Sequence, residues 1–423
     1  MADETKTNES GDLVDEDSPK ADDKPENKEP FPEKEITIEA KAKSTSKHII
    51  TIKNFIAKTG KFFHEIKTNP KKRLIFIISL GGVLILIIGI GLYFLLNEPG
   101  NTSSNNTSGE KPSIQENEAI YPASLDGVMT DLDSSNRHPL AIIVENHTDA
   151  RPQSGLNKAS VVYEAVAEGG ITRFMAIFGT NQADKVGPVR SARTFFVDYA
   201  HGYNAYFAHV GGSIDGLDKI NSDKILDLDQ SGNSAPFWRE QTSGLASEHT
   251  VYTSTSKLYE QASKNGYTAA NNFNVYKFKD EPTETEKAAL PESQKVSVNY
   301  SNSSYDVYFQ YDKSTNSYKR FLASKSHIDA VSKDQINPKN VVVMTVANKI
   351  ITNRYNTAVS QMTTVGTGKA KIFFDGKTIS GTWKKASAAD REMFYDEAGN
   401  EVIFNRGQFW ISIVPADSSV SVE

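Results

Sequence analysis

Residues 74–96 (LIFIISLGGVLILIIGIGLYFLL) carry no charged side chain and are almost wholly Leu, Ile, Gly and Phe. At about 1.5 Å per residue a helix of that length spans roughly 30 Å or slightly more, the thickness of a bilayer's hydrocarbon. A core helix of a soluble domain keeps a polar face, so the uniform apolarity reads as a transmembrane helix. The run begins more than seventy residues into the chain and no small-residue cleavage site follows it, which argues against a cleaved signal peptide. Lys71, Lys72 and Arg73 abut its start, while Glu98 and uncharged residues follow its end. The positive-inside rule then places the N-terminus in the cytoplasm and the rest of the chain outside a cell membrane, crossed once.

The flanks differ sharply from each other. Residues 1–70 are expected to be a cytoplasmic tail. Its first forty residues are acidic, Lys-, Pro- and Ser-rich and too poor in large apolar residues to fold. Toward the membrane it becomes basic and amphipathic, with Ile52, Phe55, Ile56, Phe62, Phe63 and Ile66 interleaved with Lys53, Lys58, Lys61 and Lys67, a pattern suited to an anionic membrane surface. Residues 97–118 form a Gly/Ser/Asn/Thr linker. The formal net charge of −6 over 423 residues argues against nucleic acid as a partner. With no cysteine in the sequence, disulfides, thiolate metal sites and cysteine nucleophiles are excluded, as is an N-terminal lipid thioether.

The folded part is expected from about residue 119. Residues 119–280 alternate strand-like runs (139–146, 160–167, 171–179 and 205–210) with helix-like ones (191–203, 213–220 and 253–265), which predicts an α/β or α+β mixed-sheet domain. Gly169-Gly170 between two apolar runs reads as a hairpin turn. A polar stretch at 280–293 leads into residues 294–423, which read as a smaller, strand-rich C-terminal domain with its own core near 340–414. Hairpins are expected about Asp375-Gly376 and about Arg406-Gly407.

Few patterns here carry chemistry at motif-grade spacing. The sequence Gly366-Thr367-Gly368-Lys369 lacks the spacing of a phosphate loop and reads as a turn. Ser213 and Asp215, in a Gly-rich stretch near His209 and His249, are the catalytic candidates for a Ser/His/Asp arrangement, although Ser213 misses the nucleophile-elbow spacing by one residue. Glu145, His147 and Asp149 alternate past a strand and share a face. That face reads as a solvated edge, and neither a metal site nor a cofactor is assigned. The arginines stand out more. If Ser191 caps the following helix, Arg190 and Arg193 sit at its positive end, with Arg173 and Arg151 close enough to join them. Two answers balance that charge: an external anion bound by Arg151, Arg173, Arg190, Ser191 and Arg193, or internal acids such as Glu145, Glu164 and Glu168.

The segments RPQSGL (151–156), VYE (162–164), EGGITRF (168–174), GPVRSAR (187–193) and HVGGS (209–213) resemble, in this order, the YerB-like family. FWR (237–239) and EHTVY (248–252) resemble later motifs of that family, and GTGK (366–369), GTW (381–383) and GQFW (407–410) are similar to its separate C-terminal domain. The family is one of unknown function whose members include lipoproteins of the bacterial envelope. The resemblance therefore implies an outward-facing, membrane-attached module and implies no reaction. On these grounds the chain is expected to be an accessory or binding protein of the cell envelope, gripping an anionic cell-wall polymer, a lipid headgroup or an envelope protein. The alternative is an envelope enzyme acting on a phosphate- or sugar-containing substrate, loosely similar in layout to the LytR-CpsA-Psr glycopolymer transferases.

Overall fold

Ten strands build the central sheet: Leu140–Glu145 (β1), Val161–Glu168 (β2), Ile171–Phe178 (β3), Tyr206–His209 (β4), Leu226–Asp229 (β5), Asn340–Val346 (β6), Gly366–Phe374 (β7), Lys377–Lys385 (β8), Met393–Asp396 (β9) and Phe409–Pro415 (β10). They come from a computed structural model that describes residues 119–423 apart from 242, 243, 269, 270, 355 and 357. The tail (1–70), the apolar span (74–96) and the linker (97–118) lie outside the described residues. Among the described residues no helix is long and apolar enough to cross a membrane.

The strand order is β9-β8-β7-β6-β10-β2-β3-β1-β4-β5. The pairs β6/β10, β10/β2, β1/β4 and β4/β5 are parallel and the others antiparallel. Both faces are covered, which explains why β1 and β10 read as continuous apolar runs. Alternate side chains sort to opposite faces. Ala141, Ile143, Phe409, Ile411 and Ile413 join one core cluster, with Phe195, Phe196 and Tyr199 of helix Thr194–His201 (α1) and Ile220 of helix Ile214–Ser222 (α2). Leu140, Ile142, Val144, Trp410 and Val414 join the other, with Leu258 and Ala262 of helix Thr255–Lys264 (α3). A five-stranded antiparallel sheet, which includes Lys295–Val298, Val307–Asp312 and Ser317–Leu322, also packs Val296, Phe309 and Tyr318 into this second cluster.

The result is a mixed-sheet, mostly β structure with a β-rich C-terminal part. Several local expectations hold. Gly169-Gly170 joins β2 to β3 and Asp375-Gly376 joins β7 to β8, with positive φ at all four residues. Others need correction. The 340–414 region has no separate core, because β10 is inserted between β6 and β2 and one sheet runs through both halves. No hairpin forms about Arg406-Gly407: Ile403–Asn405 pairs in parallel with Lys277–Lys279, while Phe409–Pro415 pairs with β2 and β6. Gly366 to Lys369 is the start of strand β7 and is no turn.

Candidate functional site

The sequence-predicted arginines converge because one extended segment, 185–193, is threaded between two strands. Glu145 N donates to Pro188 O (2.9 Å) and Arg190 N to Ile143 O (3.0 Å) on one side. On the other, Val189 N donates to Val251 O (2.7 Å) and Val186 N to Thr253 O (2.7 Å). Gly187 permits this crossing: at φ +144 a Cβ there would lie 2.9 Å from Val251 O. The segment stays extended through Arg193 (φ −134, ψ 150), so α1 starts at Thr194. Ser191 therefore does not cap the helix as expected. Its carbonyl instead accepts from Arg173 Nη1 at 2.8 Å.

Two charged groups result. In the first, Arg190 Nε donates to Glu145 Oε1 at 2.9 Å, and its Nη2 lies 3.5 Å from Glu248 Oε1. Glu145 is buried, and its other oxygen takes Nδ1 of the buried His249 at 2.9 Å. The His249 ring stacks on His147 with centroids 4.9 Å apart and planes 14° from parallel. His147, Asp149 and His249 each offer one ligand atom, all within 4.8 Å of one another. Arg151 stands beside this group but donates to Asn146 Oδ1 and Asn146 O, both at 3.0 Å, and lies over the Tyr305 ring at 5.0 Å. Burial pushes its guanidinium below the ordinary range.

In the second group Arg173 and Arg193 share the half-exposed Glu168, which lies 3.4 Å from Arg173 Nη2 and accepts from Arg193 Nε. Burial, with the charge of Arg193 next, pushes Arg173 down to about 10. Burial alone would raise the Glu168 carboxyl, but the hydrogen bond from Arg193 and the charges of Arg173 and Arg193 outweigh it and hold the group below its usual range. Glu168 and Arg193 line a cavity of about 290 Å³ with Thr194, Ser213, Asp215 and Ile350. A larger open hollow of about 790 Å³, bordered by Lys369, Lys384 and Asp396, includes none of the sequence-predicted residues.

The catalytic candidates do not assemble. Ser213 is the N-cap of α2, and its Oγ accepts from Gly216 N at 3.2 Å. Both nitrogens of the buried His209 face acceptors, Gly211 O at 2.7 Å and Asp227 Oδ1 at 2.9 Å, which leaves neither free to take a proton from Ser213. Asp215 Oδ2 accepts from Asn353 Nδ2. His249 lies with Glu145 and His147 instead. Joining residues 102–104 positions apart, that association has no periodic signal in the sequence. The internal acids that answer the arginines are Glu145, Glu168 and Glu248, whereas Glu164 is engaged elsewhere, with Arg320 at 2.7 Å.

Comparison with known proteins follows the same two-part layout. Residues 125–268 match the N-terminal domain, and residues 296–411 the C-terminal domain, of a protein family of unknown function, DUF3048. Over 318 residues the chain is 31% identical to YerB of Bacillus subtilis (strain 168), whose name makes it a candidate lipoprotein, covering 74% of this chain and 92% of that protein. A crystal structure of Bacillus subtilis YerB superposes with a TM-score of 0.63 at 30% identity, over 71% of this chain and 99% of that one. With both domains matched in order and the fold shared, the chain belongs to the YerB-like, DUF3048 family.

Proposed function

We propose that this protein is an envelope-attached binding module that recognises an anionic ligand at the cavity beside Arg173 and Arg193. The observation that carries the reading is the sharing of one half-exposed carboxylate, Glu168, by two guanidiniums: that of Arg193, which lines the cavity with it, and that of the buried Arg173. Among the described residues Glu168 is the one acid within ion-pair distance of these two cations, and the first-turn amides of α1 begin at the same rim with Thr194. A phosphate or carboxylate entering there meets a partly desolvated guanidinium and helix-terminal N–H groups together. The expected probes are inorganic pyrophosphate and a poly(glycerol phosphate) chain, titrated calorimetrically at low and high salt. Arg193→Ala is expected to weaken saturable binding at least tenfold, about 1.4 kcal/mol, with little change in melting temperature. Absence of saturable binding by the unmutated protein, or equal binding by the variant, would reject the reading.

Attachment is part of the same proposal. The relative's name points to a lipid anchor, and in this sequence, which holds no cysteine, the apolar span 74–96 takes that role with the folded part outside. Protease applied to intact, wall-stripped cells is then expected to digest residues after 97 and spare the first seventy. Full protection of the folded part would overturn the orientation.

A further inference from the structure

We infer that His147, Asp149 and His249 form a binding site for a divalent transition-metal ion of the zinc class, with Glu145 as the buried partner that orients it. The site stands apart from the anion reading and rests on different residues. Three elements supply it: the residues just past β1 bring His147, the 3₁₀ turn Thr148–Ala150 brings Asp149, and the 3₁₀ turn Ser247–His249 brings His249. Their ligand atoms already lie within 4.8 Å of one another.

The donor set itself selects the metal. Two imidazole nitrogens and one carboxylate oxygen suit zinc and its neighbours, whereas calcium and magnesium favour shells made of oxygen. Around a tetrahedral ion with bonds of about 2.0–2.1 Å, donors stand about 3.4 Å apart, so the widest-spaced of these must draw together by up to about 1.4 Å. Two of them can move. The Asp149 side chain is 59% exposed and that of His147 is 33% exposed. His147 offers Nε2, or Nδ1 once its long 3.3 Å hydrogen bond from Asp149 N is given up.

The third donor is fixed. Nδ1 of His249 donates to Glu145 Oε2 at 2.9 Å, which leaves the lone pair on Nε2, and the ring is buried. Glu145 is in turn held by Arg190 at 2.9 Å. A carboxylate that orients a ligating imidazole and raises its basicity is the usual outer partner of a metal-bound histidine. Three protein ligands leave the fourth tetrahedral position to water or to an anionic ligand, the arrangement of a site that exchanges ligands.

The test uses the untagged full chain, stripped with a chelator, titrated with ZnCl₂ by calorimetry and with CoCl₂ by visible absorption. One equivalent of Zn²⁺ is expected to bind, and Co²⁺ is expected to give the intense d–d bands of a tetrahedral site. Asp149→Asn alters an exposed side chain and His147→Ala a partly exposed one, and both are expected to leave the melting temperature of the apo protein nearly unchanged while weakening Zn²⁺ at least tenfold. His249→Ala should abolish the cobalt bands, and Glu145→Gln should weaken binding about 10- to 100-fold. If His249→Ala or Glu145→Gln fails to fold, His147→Ala and Asp149→Asn decide the matter alone. Lack of a saturable equivalent in the unmutated chain, or undiminished affinity in both His147→Ala and Asp149→Asn, overturns the site.

Discussion

Arg320→Ala is expected to lower the free energy of unfolding by about 3–5 kcal/mol, measured by urea denaturation of the folded region. Arg320 lies on the strand Ser317–Leu322 and Glu164 on β2. Their side chains are both 0% exposed, with Nη2 and Oε2 2.7 Å apart. Glu164 is otherwise satisfied by Trp410 Nε1 at 3.0 Å and Thr172 Oγ1 at 3.0 Å, and the guanidinium lies over the Trp410 ring at 4.2 Å. Removing the arginine leaves the carboxylate with two neutral donors and no directly paired cation, in a space water cannot freely fill. The cost is that of stranding the charge; it is not the net worth of the pair, since two well-packed apolar residues in the same place can be as stable. The double change Arg320→Met with Glu164→Leu should therefore recover much of the loss. A loss below about 1 kcal/mol for Arg320→Ala would mean that the carboxylate is neutral or hydrated in the folded protein.

This pair also shows where sequence reading stops. The strands of the central sheet are legible because burial on both faces demands unbroken apolar runs, and the Asp375-Gly376 turn is legible because only a few residue types accept positive φ at both positions. Those are local demands, met by neighbours in the chain. The partner of Glu164 lies 156 residues away and that of Glu145 on His249 lies 104 away, so no period or spacing announces either. The arginine cluster was legible as a charge problem, since Arg190 and Arg193 stand in a short segment beside many acids. Which acid answers which arginine depends on how the 185–193 segment is laid between β1 and the strand Val251–Thr253. The same placement explains the helix start. Ala192 N donates to Gly211 O at 3.0 Å, a sheet-like contact that keeps the chain extended past Ser191 in spite of that residue's capping propensity. The single sheet through both halves is a matter of long-range pairing too, for β10 is the last strand of the ten and lies at the middle of the order.

Acidification below pH 6.5 is expected to destabilise the folded region by about 1.4 kcal/mol per pH unit through His327. This ring is buried against Phe174 and Trp410, its Nδ1 accepting from Arg320 and its Nε2 donating to Gln153 Oε1 at 2.8 Å. Burial, then the charges of Arg320 and Arg151, hold its pKa well below 6.5. A proton on Nδ1 would point at a guanidinium, so the folded protein keeps the ring neutral while the unfolded chain protonates it at about 6.5. The unfolded state then binds the extra proton, and stability present above pH 6.5 is lost as the pH falls toward the folded pKa. The loss steepens toward one proton per pH unit once the unfolded chain is fully protonated, and it levels off only as the pH nears the folded pKa. His201, whose pKa is lowered by burial, adds a change of the same sign, so a comparison is needed to isolate His327. His327→Gln supplies it: the amide oxygen can accept from Arg320 and the amide nitrogen donate to Gln153, without a titrating group. The variant should be less stable at pH 7, having lost the ring contacts, yet its unfolding free energy should fall less steeply between pH 6.5 and 4.5, by close to one proton's worth. Parallel pH profiles for the two proteins would show that His327 is protonated in the folded state and that Arg320 turns away from it.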